Sequence, residues 1–250
     1  KLLYNKPLEA YLEAKNELGI KTKPVILGIY TFVQLSKGFA KDEKRMVIKN
    51  LIDVYIQMLK ELEDAGVEWV QIDEPCFVLD EALEDFEYVK DVYQEICAAV
   101  PSLSIMLQTY FEGVERYNQL ISFPVSGIGL DFVHGKEENF KSIIKNGFPN
   151  DKVLGVGILN GRNIWKNDLN ESMNLLKSLQ THINPKEWWI QPSCSLLHVP
   201  VTKKEEKALN TTLFEALSFA DEKLEELRII KLAMNNGISY VEDEINNASK

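Results

Sequence analysis

Six short apolar runs alternate with longer helix-like stretches along this chain, and that alternation limits the fold more than any other feature. The runs cover residues 24–30, 67–73, 104–111, 127–134, 153–159 and 188–193. Most carry Val, Ile and Leu without polar alternation, the pattern of strands buried on both faces of a parallel sheet. Between them lie helical patterns. Residues 42–65 place Met46, Ile52, Tyr55, Ile56, Leu59 and Leu62 mostly three or four positions apart and stop at Gly66. Residues 81–100 behave alike and stop at Pro101, residues 136–145 and 168–180 are shorter, and residues 203–235 are expected to form the longest helix.

Strand–helix pairs in series require right-handed crossovers and an α/β fold. The expected architecture is a TIM-type (β/α)8 barrel with about six of its eight strand–helix units in this chain. Residues 7–18 read as a helix, so the chain is expected to open inside a βα unit, with two strands upstream of Lys1. It is expected to be a piece of something longer. No Gly/Ser- or Pro-rich stretch divides it, so residues 1–236 read as one incomplete barrel domain and residues 237–250 as the polar start of an interdomain linker.

Charge and composition narrow the function. Lys and Arg number 28 against 38 Asp and Glu, a formal net charge of −10. A field of that sign repels nucleic-acid backbones. No apolar run approaches the ~20 residues of a membrane span, and no basic-then-apolar leader marks export. Three scattered cysteines, Cys76, Cys97 and Cys194, make no disulfide framework, which fits a reducing cytoplasm.

In parallel α/β folds chemistry gathers at the C-terminal ends of strands. Polar groups stand there six times: Tyr30-Thr31, Gln71 with Asp73-Glu74-Pro75, Gln108-Thr109-Tyr110, Asp131 with His134, Asn160-Gly161-Arg162-Asn163, and Ser193-Cys194-Ser195 with His198. They suggest a concave polar mouth. Adjacent carboxylates on a strand point opposite ways, so only one of Asp73 and Glu74 faces it. The bland alternative has Asp73 capping the next turn and Glu74 solvated. A glycosidase would pair Asp73 or Glu74 with Asp131. Zinc would need Cys194, His198, Asp131 and His134 to converge, but no His-x-Cys or Cys-x-x-Cys pair anchors them. Arg162 suits bidentate capture of a carboxylate, or tethering of two loops. Gly155-Val156-Gly157 lies inside a strand, so no phosphate loop is expected. Trp188 and Trp189 are expected to be core.

Together these residues resemble the N-terminal domain of the cobalamin-independent methionine synthase family. The matching stretches are Lys23-Pro24-Val25-Ile26-Leu27-Gly28, Trp69 through Pro75, Thr109-Tyr110-Phe111-Glu112-Gly113, Asp131-Phe132-Val133-His134-Gly135, Leu159-Asn160-Gly161-Arg162-Asn163-Ile164-Trp165 and Ser193 through His198. They keep the family's order over roughly residues 1–236. One departure is Ile29, where the family usually has proline. The resemblance implies the non-catalytic barrel half of an enzyme that moves a methyl group from methyltetrahydropteroyl-polyglutamate to homocysteine. It implies zinc and catalysis in a C-terminal barrel, which would be this chain's partner, and no cofactor in this chain. Where that barrel carries a His-x-Cys pair, this sequence has Gln108-Thr109-Tyr110. Asp131 stands for a zinc-ligating glutamate, Arg162 for the catalytic histidine, and only Cys194 matches a ligand. No catalytic residue and no metal ligand set are therefore expected here. The remnant ligand candidates are Asp73, Glu74, Tyr110, Asp131, Asn160, Arg162 and Cys194. The competing reading is a stand-alone barrel module in which Arg162 holds the carboxylate and Asp73 the amino group of an amino-acid or folate-like ligand.

Overall fold

The structure is a computed structural model that describes residues 1–248. The described residues divide into two compact units, one of residues 1–109, 114–129 and 151–154, the other of residues 110–113, 130–150 and 155–248. Six strands neighbour one another in chain order, the sheet pattern of a barrel segment in which each strand is followed by its crossover.

In the first unit, α1 (Lys6–Glu17) starts where the Asn5 side chain accepts the Leu8 N–H, with Pro7 in the first turn. Then come β1 (Val25–Leu27), α2 (Ile29–Leu35), α3 (Lys44–Asp64), β2 (Trp69–Asp73), α4 (Phe86–Ala99), β3 (Ser104–Gln108), the short α5 (Tyr117–Leu120) and the start of β4 (Gly127–Asp131). The registers are parallel, with Leu27 opposite Asp73, Asp73 opposite Gln108, and Gln108 opposite Gly129. Helix α3 buries Ile48, Ile52, Tyr55, Leu59 and Leu62, each contributing roughly 1.5–3 kcal/mol. Met46 is exposed, because two residues before Ile48 it lies about 200° round the helix, on the opposite side. Between α4 and the sheet, Phe77 meets Tyr30, Phe86 and Phe123 at ring distances of 5.5, 4.9 and 5.6 Å.

The second unit holds the end of β4, α6 (Lys136–Asn146), most of β5 (Val153–Leu159), α7 (Leu169–Gln180), β6 (Glu187–Pro192), α8 (Thr211–Ala216), α9 (Ala220–Asn236) and α10 (Glu242–Ala248). Phe132 N–H donates to Gly157 and Ser193 N–H to Leu159, linking the strand ends. Every residue of β5 is buried, as its unbroken apolar run requires.

Three expectations change. The first apolar run ends at Leu27, and Tyr30 and Thr31 belong to the first turn of α2, because Gly28 takes an extended conformation that starts a helix. The long helix expected over residues 203–235 is broken: Asn210 caps α8, and the Lys203 ammonium takes the Phe214 and Leu217 carbonyls where that helix ends. The longest helix is instead α3, with 21 residues. Trp188 and Trp189 are half-buried rather than core, on β6, the last strand in the sheet order among the described residues. Residues 242–248 form a helix, with Val241 and Ile245 buried; the last two residues of the expected linker lie outside the described residues. Among the described residues, no helix is long and apolar enough to cross a membrane.

Candidate functional site

In the first unit the polar strand end is closed. Glu74, directly after β2, has no exposed surface. Its Oε1 accepts the Tyr30 N–H at 3.1 Å and the Tyr93 hydroxyl at 2.8 Å, and its Oε2 accepts the Thr31 N–H at 2.7 Å. The carboxylate thus ties β2 to the start of α2 and to α4, using N–H groups that a helix start leaves unpaired. A Cβ on Gly28 would fall 2.0 Å from the Glu74 carboxyl carbon, so only glycine leaves this space. Burial pushes the Glu74 carboxyl up to about 7, against the opposing pull of its hydrogen bonds from Thr31, Tyr93 and Tyr30. The solvated-Glu74 alternative is overturned: three donors from other elements hold it inside. Asp73 is half-buried and accepts a hydrogen bond from Gln71 Nε2 at 2.8 Å. Tyr30 also bonds Asp85, which pairs with buried Lys44 and with Arg45.

In the second unit Asp131 ends β4 with no exposed surface. Its Oδ1 accepts the N–H groups of Val133 and His134 at 2.7 and 2.8 Å. Its Oδ2 accepts the Phe111 N–H at 2.9 Å and lies 3.1 Å from His134 Nδ1. Phe111, with φ of 88°, is the one non-glycine left-handed residue among those described. Such a backbone is costly for an aromatic residue and persists only when surroundings dictate it. Tyr110, half-buried, packs its ring 4.6 Å from that of Phe111, and the Arg162 guanidinium carbon lies 4.6 Å from the centre of the Phe111 ring. His198 meets the same ring at 6.3 Å.

The Arg162 loop is fixed from below. Asn160 Oδ1 accepts the N–H groups of Arg162 and Asn163 at 2.9 and 3.2 Å, and Gly161 N–H donates to Ser193 Oγ at 3.2 Å. A Cβ on Gly161 would lie 2.9 Å from Cys194 Sγ, so the two loops touch at glycine. The buried Cys194 thiol lies 3.8 Å from the Ser195 carbonyl.

These donors do not fit zinc. Asp131 is already committed to backbone N–H groups, Cys194 packs against Gly161, and Gln108 and Thr109 are buried, with side chains turned to backbone carbonyls. No group of three or more His, Cys, Asp or Glu side chains suited to a metal exists among the described residues. A glycosidase pair fails for a similar reason, since Glu74 and Asp131 are both fully buried and bonded.

Of the residues expected at the mouth, the second unit brings Tyr110, Asp131, Asn160, Arg162 and Cys194 into one region, through Phe111. Asp73 and Glu74 belong to the first unit's own network. Reasoning from sequence missed Phe111 as a member, although it lies in a family-like stretch, whereas His198 was placed among the polar strand-end groups. It also missed Tyr93, whose place on an amphipathic helix carries no polar signal.

A family profile described as "Cobalamin-independent synthase, N-terminal domain" matches residues 1–184. A protein of Bacillus cytotoxicus named 5-methyltetrahydropteroyltriglutamate–homocysteine methyltransferase is 53% identical over 242 residues, covering 96% of this chain and 32% of that protein. One of the same name from Bacillus cereus is 49% identical over the same shares. The chain therefore spans about a third of the length of the curated relatives it matches. Among solved structures, a B12-independent methionine synthase from Shewanella, in complex with selenomethionine, superposes with a TM-score of 0.67 at 15% identity, covering 98% of this chain and 69% of that one. A methyltransferase from Methanosarcina mazei gives 0.63 at 13%, covering 92% and 64%. At those identities the structural likeness speaks for the barrel fold alone.

Proposed function

Because the chain belongs to the family of the cobalamin-independent synthase N-terminal domain, we propose that it is the non-catalytic barrel half of a methyltransferase that makes methionine from homocysteine. The methyl donor in this reading is methyltetrahydropteroyl-polyglutamate. The donor's nitrogen–methyl bond breaks, a sulfur–methyl bond forms on homocysteine, and the thiol proton passes to the donor. The observation that carries the reading is identity near half to proteins of that name over 96% of this chain but 32% of theirs.

The chemistry of the chain's own strand ends supports a supporting role. Its two fully buried carboxylates are spent on hydrogen bonds, and Arg162 does not act as an acid–base at neutral pH. Zinc and the catalytic groups then belong to a C-terminal barrel of the same cytoplasmic enzyme, the partner of this segment. Residues 1–236 are its barrel portion and residues 237–250 the start of the connection. Packing against that barrel and support of folate binding are its tasks.

The test is elemental analysis of the full-length protein carrying Cys194→Ser, alongside methionine formation by the unaltered protein. The expected result is about one zinc per chain retained in the variant. Zinc lost with Cys194, or no methionine formed by the unaltered full-length protein, overturns the assignment.

A further inference from the structure

Arg162 is a cation that the fold positions but does not pair. Of the four arginines, Arg45 is paired with Asp85 and Arg228 with Glu225. The Arg162 guanidinium makes no hydrogen bond or ion pair to any described residue; its one side-chain contact of this kind is the face of Phe111, at 4.6 Å. Contact with a ring face uses none of the guanidinium's N–H groups as a hydrogen-bond donor, so the fork that matches a carboxylate in two parallel hydrogen bonds keeps its donors.

The support beneath is unusually firm for an exposed side chain. Phe111 is held at φ of 88° by the Asp131 carboxylate. That carboxylate is consumed by backbone N–H groups and is fully buried, so it is not available as the partner of Arg162. Asn160 fixes the Arg162 backbone from one side, and Gly161 locks the loop against Cys194 from the other. His198, an exposed ring donor, borders the same phenyl ring at 6.3 Å. Strain retained under an unpaired cation marks a place organised for an anion, a local one because the chain's net charge of −10 repels anions elsewhere.

We propose that Arg162, seated over the Phe111 ring beside His198, is the anchor of a binding site for the carboxylate group of a small molecule. The assignment goes beyond the methyl-transfer reading and does not depend on it. A planar two-oxygen anion fills the guanidinium edge, and the phenyl ring keeps the fork from rotating away.

The experiment is protection from arginine modification in the full-length protein. Phenylglyoxal attacks accessible guanidinium groups, and peptide mapping by mass spectrometry reads each arginine separately. Glutarate is expected to slow modification of Arg162 by about fivefold or more, with saturation. Acetamide, or sodium chloride at equal ionic strength, is expected to give no such protection. Modification at Arg116 serves as the unprotected reference. Phe111→Ala is expected to abolish protection while leaving Arg162 reactive. Failure of glutarate to protect, equal protection by chloride, or stronger protection by inorganic phosphate than by glutarate each overturns the proposal. So does an Arg162 unreactive before any carboxylate is added, because another part of the protein then covers it. Methionine formation is a separate measurement, so loss of one reading leaves the other standing.

Discussion

Glu74 and Asp131 are both carboxylates at strand ends with no exposed surface, yet they perform different work. Glu74 reaches across sequence distances of 43 and 44 residues to the start of α2 and across 19 to Tyr93, so it joins separate elements of its unit. Asp131 bonds chiefly within its own turn, to Val133 and His134, and through one more N–H twists Phe111 into an uncommon backbone. The first is a tertiary clamp and the second a loop former. Burial of a carboxylate alone therefore does not mark a ligand site; what its partners are then free to do decides.

That contrast breaks first under Glu74→Ala. Two N–H groups and one buried hydroxyl lose their acceptor, and the expected loss is about 4 kcal/mol in urea or guanidinium denaturation. A loss below about 1 kcal/mol would sink the clamp description.

A smaller effect is expected from pH. The folded chain holds the Glu74 proton more tightly than the unfolded chain does, because burial lifts its carboxyl from 4.5 to about 7. Its contribution is whole below about pH 4.5 and is lost as pH rises through about 7, by an amount on the order of 1–3 kcal/mol. Glu74→Gln removes that slope. A slope unchanged in the variant would assign it to another group.

Asp131→Asn is expected to cost about 1–2 kcal/mol, since one acceptor oxygen remains and its amide nitrogen now faces the Phe111 N–H. Amide exchange at Phe111 is expected to quicken while that at Tyr30 and Thr31 is unchanged; equal quickening at all three would erase the distinction. Smallest is Phe111→Gly, where relief of a left-handed backbone offsets the lost ring, leaving stability within about 1 kcal/mol. A drop of more than about 3 kcal/mol would mean the ring is core rather than a platform for Arg162.

Much of this was legible in the sequence. β5 ran over its predicted span because seven residues in succession, aliphatic or glycine, have no alternative to two-sided burial. Helix α3 ended at Gly66 because its φ of 81° suits glycine. Helix α2 was hidden: Ile29 fills its first position where a proline would have announced a helix, and the apolar run continued unbroken. Tyr110, Asp131, Asn160, Arg162 and Cys194 were named as candidates from their place after strands. The roles of Glu74 and Phe111 were not, because both depend on donors and strain set by distant residues.

Gly28 and Glu74 also bind each other's evolutionary options. A methyl group at position 28 meets the carboxyl at 2.0 Å, so the chain accepts alanine there only after position 74 has shortened. Shortening 74 first strands the donors of α2. Neither single step is open, and the pair is expected to change together or not at all.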